Sequence, residues 1–154
     1  MFGFGERPKK KYIKFTDLLT KNSINFENHR EFVEIFGDVN INEPCITDLP
    51  RLKVNGDFRL SQVDFPEVPD GTEVYGEFSL KASSAKRIGD NFVCTGEVYL
   101  LGSAVEEIGS MDVWGLNLDH SAVRKLGGGY VRDCLSLNSF VTEVPDDLSC
   151  GRII

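Results

Sequence analysis

Apolar and polar residues alternate in short bursts that recur at a nearly fixed interval along this chain. The pattern apolar-x-Gly-x-apolar-x-apolar occurs as IFGDVNI from Ile35, VNGDFRL from Val54 and VYGEFSL from Val74. Looser copies are VCTGEVYL from Val93, with one extra residue before the glycine, and VWGLNL from Val113, with one residue missing after it. In VRDCLSL from Val131, Asp133 takes the glycine position, and the terminal SCGRII reads as a seventh start. The anchors Gly37, Gly56, Gly76, Gly96, Gly115, Asp133 and Gly151 lie 18 to 20 residues apart.

A second pattern, apolar-x-x-apolar followed by Pro or Gly, runs in phase with the first. Its copies begin at Ile46, Phe65, Ala85, Val105, Val123 and Val141. Two patterns sharing one register over six turns identify a repeat architecture. In VNGDFRL, strand alternation puts Val54, Phe58 and Leu60 on one face and Asn55, Asp57 and Arg59 on the other. Gly56 is expected to point inward, where a side chain would crowd the neighbouring coil. The return segment supplies a second apolar pair, and Pro or Gly then turns the chain back. One such turn cannot bury its own apolar face, but stacked turns can. The expected fold is mainly β: a parallel β-solenoid of six to seven coils of 18–20 residues. At the usual strand spacing, six coils make a rod about 29 Å long.

Residues 1–34 fall outside the repeat and are expected to form a basic arm and a small α/β cap, with the solenoid spanning 35–154. KYIKFTDLL reads as a strand or a turn entry, and NFENHREFVEIF as a short helix beginning near Asn28, a good N-cap residue.

The stretch ITDLPRLKVNGDFRL, residues 46–60, resembles leucine-rich-repeat solenoids, and short bacterial and phage-type repeats in particular, with a strand reading VxGxLxL and a return reading IxxLP. The likeness covers about residues 35–154. It departs from the common pattern in holding no asparagine ladder and in using valine, isoleucine and phenylalanine for many leucines, so a straighter β-solenoid fits as well as a curved one. The resemblance implies a binding scaffold, and in a phage setting one that acts on a host factor, with no shared chemistry. A pentapeptide-repeat helix, whose acidic surface can mimic DNA, also has 20-residue coils. Here the five-residue apolar step Phe58, Val63, Val68 breaks at Glu73.

Charge and composition narrow the partners. The 154 residues give about one domain, with 41% hydrophobic and 27% charged residues. The apolar runs are too short to span a bilayer. The net charge of −7 is unevenly placed: Arg7, Lys9, Lys10, Lys11 and Lys14 against Glu6 give residues 1–14 a charge of +4, leaving −11 on the rest. Nucleic-acid contact is therefore expected only through the basic arm 7–14. No secretory leader is read at the start of the sequence, and Cys45, Cys94, Cys134 and Cys150 show no CxxC spacing. Free thiols and a cytoplasmic location are expected.

Aligning the coils assigns the outward positions. Asp38, Asp57, Glu77 and Glu97 follow the glycines and should form a column of carboxylates about 5 Å apart, repelling by roughly 1 kcal/mol per neighbour in water. Arg59 and Lys81 are the cations placed to offset them. The position before the glycine holds Phe36, Asn55, Tyr75, Thr95, Trp114 and Arg132, with Tyr99 nearby. Tyrosine, tryptophan and arginine are common interface anchors. The expected partner-binding residues are Asp38, Asp57, Glu77, Glu97, Tyr75, Tyr99, Trp114 and Arg132, facing a basic or mixed protein surface. Self-association through the terminal strand, with Ile153 and Ile154, is a second expectation.

Catalysis is not expected. The two histidines are His29 and His120. Asp119, His120 and Ser121 are adjacent on a strand end and point in alternating directions, so they cannot form a triad. No cofactor and no metal site are read from the sequence. The reading from a different class is a small β-helix-type carbohydrate-binding protein or enzyme.

Overall fold

The computed structural model describes residues 12–42, 45–47, 49–141 and 144–154. Most of the basic arm, including Arg7, Lys9, Lys10 and Lys11, lies outside the described residues.

The elements in chain order are α1 (Phe15–Lys21), β1 (Phe26–Asn28), β2 (Val33–Phe36), β3 (Val39–Ile41), β4 (Leu52–Asn55), β5 (Phe58–Ser61), β6 (Glu73–Val74), β7 (Phe78–Lys81), β8 (Arg87–Ile88), β9 (Phe92–Tyr99), β10 (Glu107–Ile108), β11 (Met111–Asn117), β12 (Lys125–Leu126), β13 (Gly129–Ser136) and β14 (Leu148–Ile153). They wind as a parallel β-solenoid of about six turns. The main sheet runs β1-β2-β4-β6-β9-β11-β13-β14, with β3, β5 and β7 joining it at β9. The short strands β8, β10 and β12 form a second parallel sheet on the return side. No helix among the described residues is long and apolar enough to cross a membrane.

The core is a set of rows, each made of one position repeated in successive coils. Strand pairing aligns Ile35, Val54, Val74, Cys94, Val113 and Val131, all essentially buried. A second row is Val39, Phe58, Phe78, Val98, Leu116 and Leu135. The return segments bury Ile46, Phe65, Ala85, Val105, Val123 and Val141. Cys94, not Val93, continues the first row. No extra residue therefore precedes Gly96; a cysteine stands where neighbouring coils use valine, as a small hydrophobe can.

Two corners shape each coil. At the first, the backbone bends at the glycine row. A Cβ on Gly56 would lie 2.7 Å from the carbonyl oxygen of Gly37, and one on Gly76 would lie 2.6 Å from that of Gly56. The crowding is along the stack, coil against coil, as the sequence pattern suggested. In the early coils this bend separates β4 from β5; in the later ones it is absorbed as a register shift within β9, β11 and β13. At the second corner, Gln62, Ala82, Gly102 and His120 take left-handed backbone angles, with φ of 59°, 54°, 67° and 53°. A non-glycine residue there costs about 1 kcal/mol, so the turn is imposed by the stacking of the coils.

The N-terminal region differs in detail from its expected form. The helix is α1, where Phe15, Leu18 and Leu19 are buried at helical spacing and Phe15 packs on Phe58 with ring centroids 6.3 Å apart. The segment expected to be helical from Asn28 is instead the antiparallel hairpin β1–β2. Val33 and Ile35 are buried while Phe36 is exposed, so a two-residue alternation outweighs the cap signal at Asn28.

Phe78 sits between Phe58, at 5.6 Å, and Phe92, at 4.9 Å, in the middle of the stack. Phe78→Ala is expected to cost about 3–5 kcal/mol, read as a lowered urea midpoint. A loss below about 1 kcal/mol would mean that the aromatic stack is not the centre of the core.

Candidate binding face

The outer surface of the main sheet carries parallel rows that alternate with the buried ones. Register places Asp38, Asp57, Glu77 and Glu97 in a single row, as the repeat predicts. The next residue in that row is Gly115, which pairs with Glu97. The sequence alignment had counted Gly115 among the corner glycines; in the structure it takes a carboxylate's place. The missing residue of that coil falls beside Trp114.

Two of the carboxylates are committed to the backbone. The N–H of Asp57 donates to Asp38 Oδ1 at 2.8 Å, and the N–H of Glu77 donates to Asp57 Oδ1 at 2.8 Å. Each acid thus satisfies a backbone donor of the following coil, at a bend where strand pairing is interrupted. The turn that follows each return segment repeats the device, with the N–H of Asp90 donating to Asp70 Oδ1 at 2.7 Å and that of Ser110 to Asp90 Oδ1 at 3.1 Å. An aspartate ladder stands where an asparagine ladder was missed in the sequence. Among the described residues, Arg59 supplies the ion pairs to the acidic row, at 3.3 Å to Asp57 and in a direct hydrogen bond to Glu77.

Glu97 is different. It is partly buried, its side chain lies over Gly115 in the space a Cβ would fill, and burial followed by the charges of Asp133 and Glu77 raises its pKa. Tyr99, one outward row further on, is also raised, by burial and then by Glu97 and Glu77. The local field is therefore negative and incompletely balanced.

The aromatic column is present as expected. Phe36, Asn55, Tyr75, Thr95, Trp114 and Arg132 occupy one outward row. Phe36 is 44%, Tyr75 42% and Trp114 50% exposed, although no core contact requires an aromatic ring at any of them. They fall on alternate coils, so their spacing is about 10 Å. Tyr75 donates its hydroxyl to Glu73 at 3.1 Å. Arg132 is held by two hydrogen bonds to Asp112, each 2.8 Å, and its guanidinium lies 5.0 Å from the Tyr130 ring centre. It is a fixed wall rather than a mobile anchor, and its pairing keeps the Asp112 carboxyl below its ordinary range. Beside Trp114 is a shallow groove of about 260 Å³ lined by Val93, Thr95, Asp112 and Arg132. The thiol of Cys94 belongs to the buried row beneath this face, and burial pushes its pKa up to about 12, so it offers no nucleophile. All four cysteines are free thiols.

Tyr130 and Asp112 were not singled out from the sequence, and Asp133 only as a stand-in for the repeat glycine. Asp112 and Arg132 are 20 residues apart, one repeat length, and that spacing was the available signal. His120 sits exposed at a left-handed corner, outside this face.

Asp38→Ala is expected to lower stability by about 1 kcal/mol, whereas Asp38→Asn, which keeps the acceptor, is expected to cost a few tenths at most; equal losses in urea melts would remove the ladder. Glu97 tests the acidic field. A carboxyl whose folded pKa is raised favours the folded state only at low pH and opposes it once ionised. Glu97→Gln should therefore raise Tm at pH 7, and the gain should fade as pH drops through the ordinary glutamate range. A gain that persists in acid would show that charge is not its cause.

Comparison with known proteins returns no matching family model, no matching curated protein and no matching solved structure, so the role of this face follows from its own chemistry.

Proposed function

We propose that the protein is a non-enzymatic scaffold that binds another protein through the outer face of its main sheet. The observation that carries this reading is the row of half-exposed rings, Phe36, Tyr75 and Trp114, running beside an acidic row. Rings of that size on a flat surface lose hydration only when something covers them, and a few such anchors dominate many interfaces. Glu97, with Asp133 and Glu77 near it and burial raising its pKa, favours a cationic side chain of the partner. The partner surface is thus basic with apolar contacts spaced about 10 Å apart along the stack. The likeness to short bacterial and phage-type leucine-rich repeats supports the same role, and in such a source the partner would be a host factor.

The acidic row contributes unequally. Asp38 and Asp57 are occupied by backbone donors, so the recognition residues are Tyr75, Glu97, Tyr99 and Trp114, with Arg132 as a wall of the groove.

Trp114 is the sole tryptophan, so its fluorescence reports on this face directly. An arginine-rich peptide carrying tyrosine or leucine every third residue is expected to shift Trp114 emission at low salt, with the effect weakened at high salt. A glutamate-rich counterpart should do nothing. Tyr75→Ala and Glu97→Ala should each weaken binding more than about tenfold, the equivalent of about 1.4 kcal/mol. An unchanged emission with the basic peptide, or equal response to both peptides, would overturn the reading. Retention of a sugar polymer in place of protein would favour a carbohydrate-binding role.

A further inference from the structure

The N-terminal hairpin gathers three ligand-type side chains that the sequence keeps apart. In the antiparallel register of β1 and β2, Glu27 lies directly opposite Glu34, so both carboxylates project from one face. Like charges at such a pair destabilise a hairpin unless something lies between them. His29 enters at the turn. Its backbone N–H donates to the carbonyl of Phe32 at 2.8 Å, and its ring stacks on that of Phe32 with centroids 4.5 Å apart. The stacking fixes where Nε2 points: 3.1 Å from Glu34 Oε1 and 3.7 Å from Glu27 Oε2.

These separations match a specific coordination geometry. A tetrahedral zinc ion with bonds of 2.0–2.1 Å to nitrogen and oxygen holds its ligand atoms about 3.3 Å apart. The two measured separations bracket that value, and one ligand atom from each residue lies within 4.8 Å of the others. Glu27 is the most exposed of the three, so its side chain has room to adjust. Glu34 is anchored from behind: the Asn55 side-chain amide donates to its second oxygen at 3.1 Å, an outer contact of the sort that orients metal ligands. That bond, ahead of the contributions of His29 and Lys53, keeps Glu34 below its usual carboxylate range. The Lys53 ammonium is 4.0 Å from the same oxygen, on the side away from His29's partner Oε1.

We propose that Glu27, His29 and Glu34 form a surface site for a first-row divalent transition metal ion, zinc above all, that clamps the hairpin cap together. One imidazole nitrogen and two carboxylates suit zinc, cobalt or nickel better than calcium or magnesium, which demand six or more oxygen ligands. Three protein ligands leave a fourth position for water. The bound ion would replace carboxylate repulsion with attraction and tie the short edge strand β1 to its turn and to β2. This proposal goes beyond the sequence reading, which named no metal site, and it does not depend on the scaffold role.

Isothermal titration of the full chain with zinc chloride, paired with thermal melts, tests the assignment. One equivalent should bind, and Tm should rise with zinc concentration. His29→Ala and Glu27→Gln should each weaken binding at least about tenfold, with circular dichroism confirming that these exposed substitutions leave the fold intact. A Cys134→Ser/Cys150→Ser variant should bind as the parent does. Cobalt should give a visible absorption band that His29→Ala abolishes. Undiminished zinc binding in His29→Ala, loss of binding only in the cysteine variant, or no heat and no Tm shift in the parent would each overturn the proposal.

Discussion

The contact on which the structure depends is backbone against backbone at the corners of successive coils. At the glycine row, two coils approach so closely that a single methyl group would collide with the carbonyl of the coil before. Ordinary strand pairing is interrupted at the same bend, and a backbone N–H left unpaired there would cost about as much as a lost buried hydrogen bond. Glycine solves the first problem and the acid that follows it solves the second, because Asp38 and Asp57 each accept the N–H of the next coil. The dipeptide Gly-Asp is thus one structural unit in the coils that begin at Gly37 and Gly56.

This double use explains a charge arrangement that is otherwise unfavourable. A row of carboxylates spaced by a strand separation repels itself. The repulsion is tolerated because the oxygens receive backbone hydrogen bonds and because Arg59 bridges two of them. The ladder ends at Glu77, and where the coil loses a residue at Trp114 the row itself is broken by Gly115. Glu97 turns over Gly115, in the space a Cβ would fill. The site with the least balanced charge is therefore where the repeat fails, beside the most exposed ring of the aromatic row.

The fold was legible because burial in a solenoid is periodic. Val54, Val74 and Val113 had to recur at one interval if stacked coils were to share a core, and two in-phase patterns over six turns left little room for another architecture. What escaped the sequence lay at departures from that period. A deletion can be aligned on either side of Trp114 with equal apolar matches, and only pairing shows that Gly115 belongs with Glu97. Cys94 was passed over in favour of Val93 because valine fitted the pattern better. The hairpin at residues 26–36 was read as a helix because Asn28 is a good cap and four apolar residues can be fitted to either period. Of the site, the aromatic row and the acidic row were visible as columns, but their pairing was not. Whether Asp38 faces solvent or a backbone donor, and whether Arg132 is tied to Asp112, depends on bends of a few degrees that no spacing records.

Stability and the proposed recognition rest on different positions of the same repeat. The two buried strand rows vary only among valine, isoleucine, leucine, phenylalanine and cysteine, since each residue must match the neighbours above and below it. The corner positions are equally constrained, by close approach and by the need for an acceptor. The row before the glycine answers to neither demand: Asn55 and Thr95 serve there as well as Phe36, Tyr75 or Trp114 do. Large rings at unconstrained positions expose apolar surface that small polar residues would avoid, and nothing in the packing of the coils compensates for it. That uncompensated exposure is why the proposed function is sited on this face, rather than in the core or at the corners.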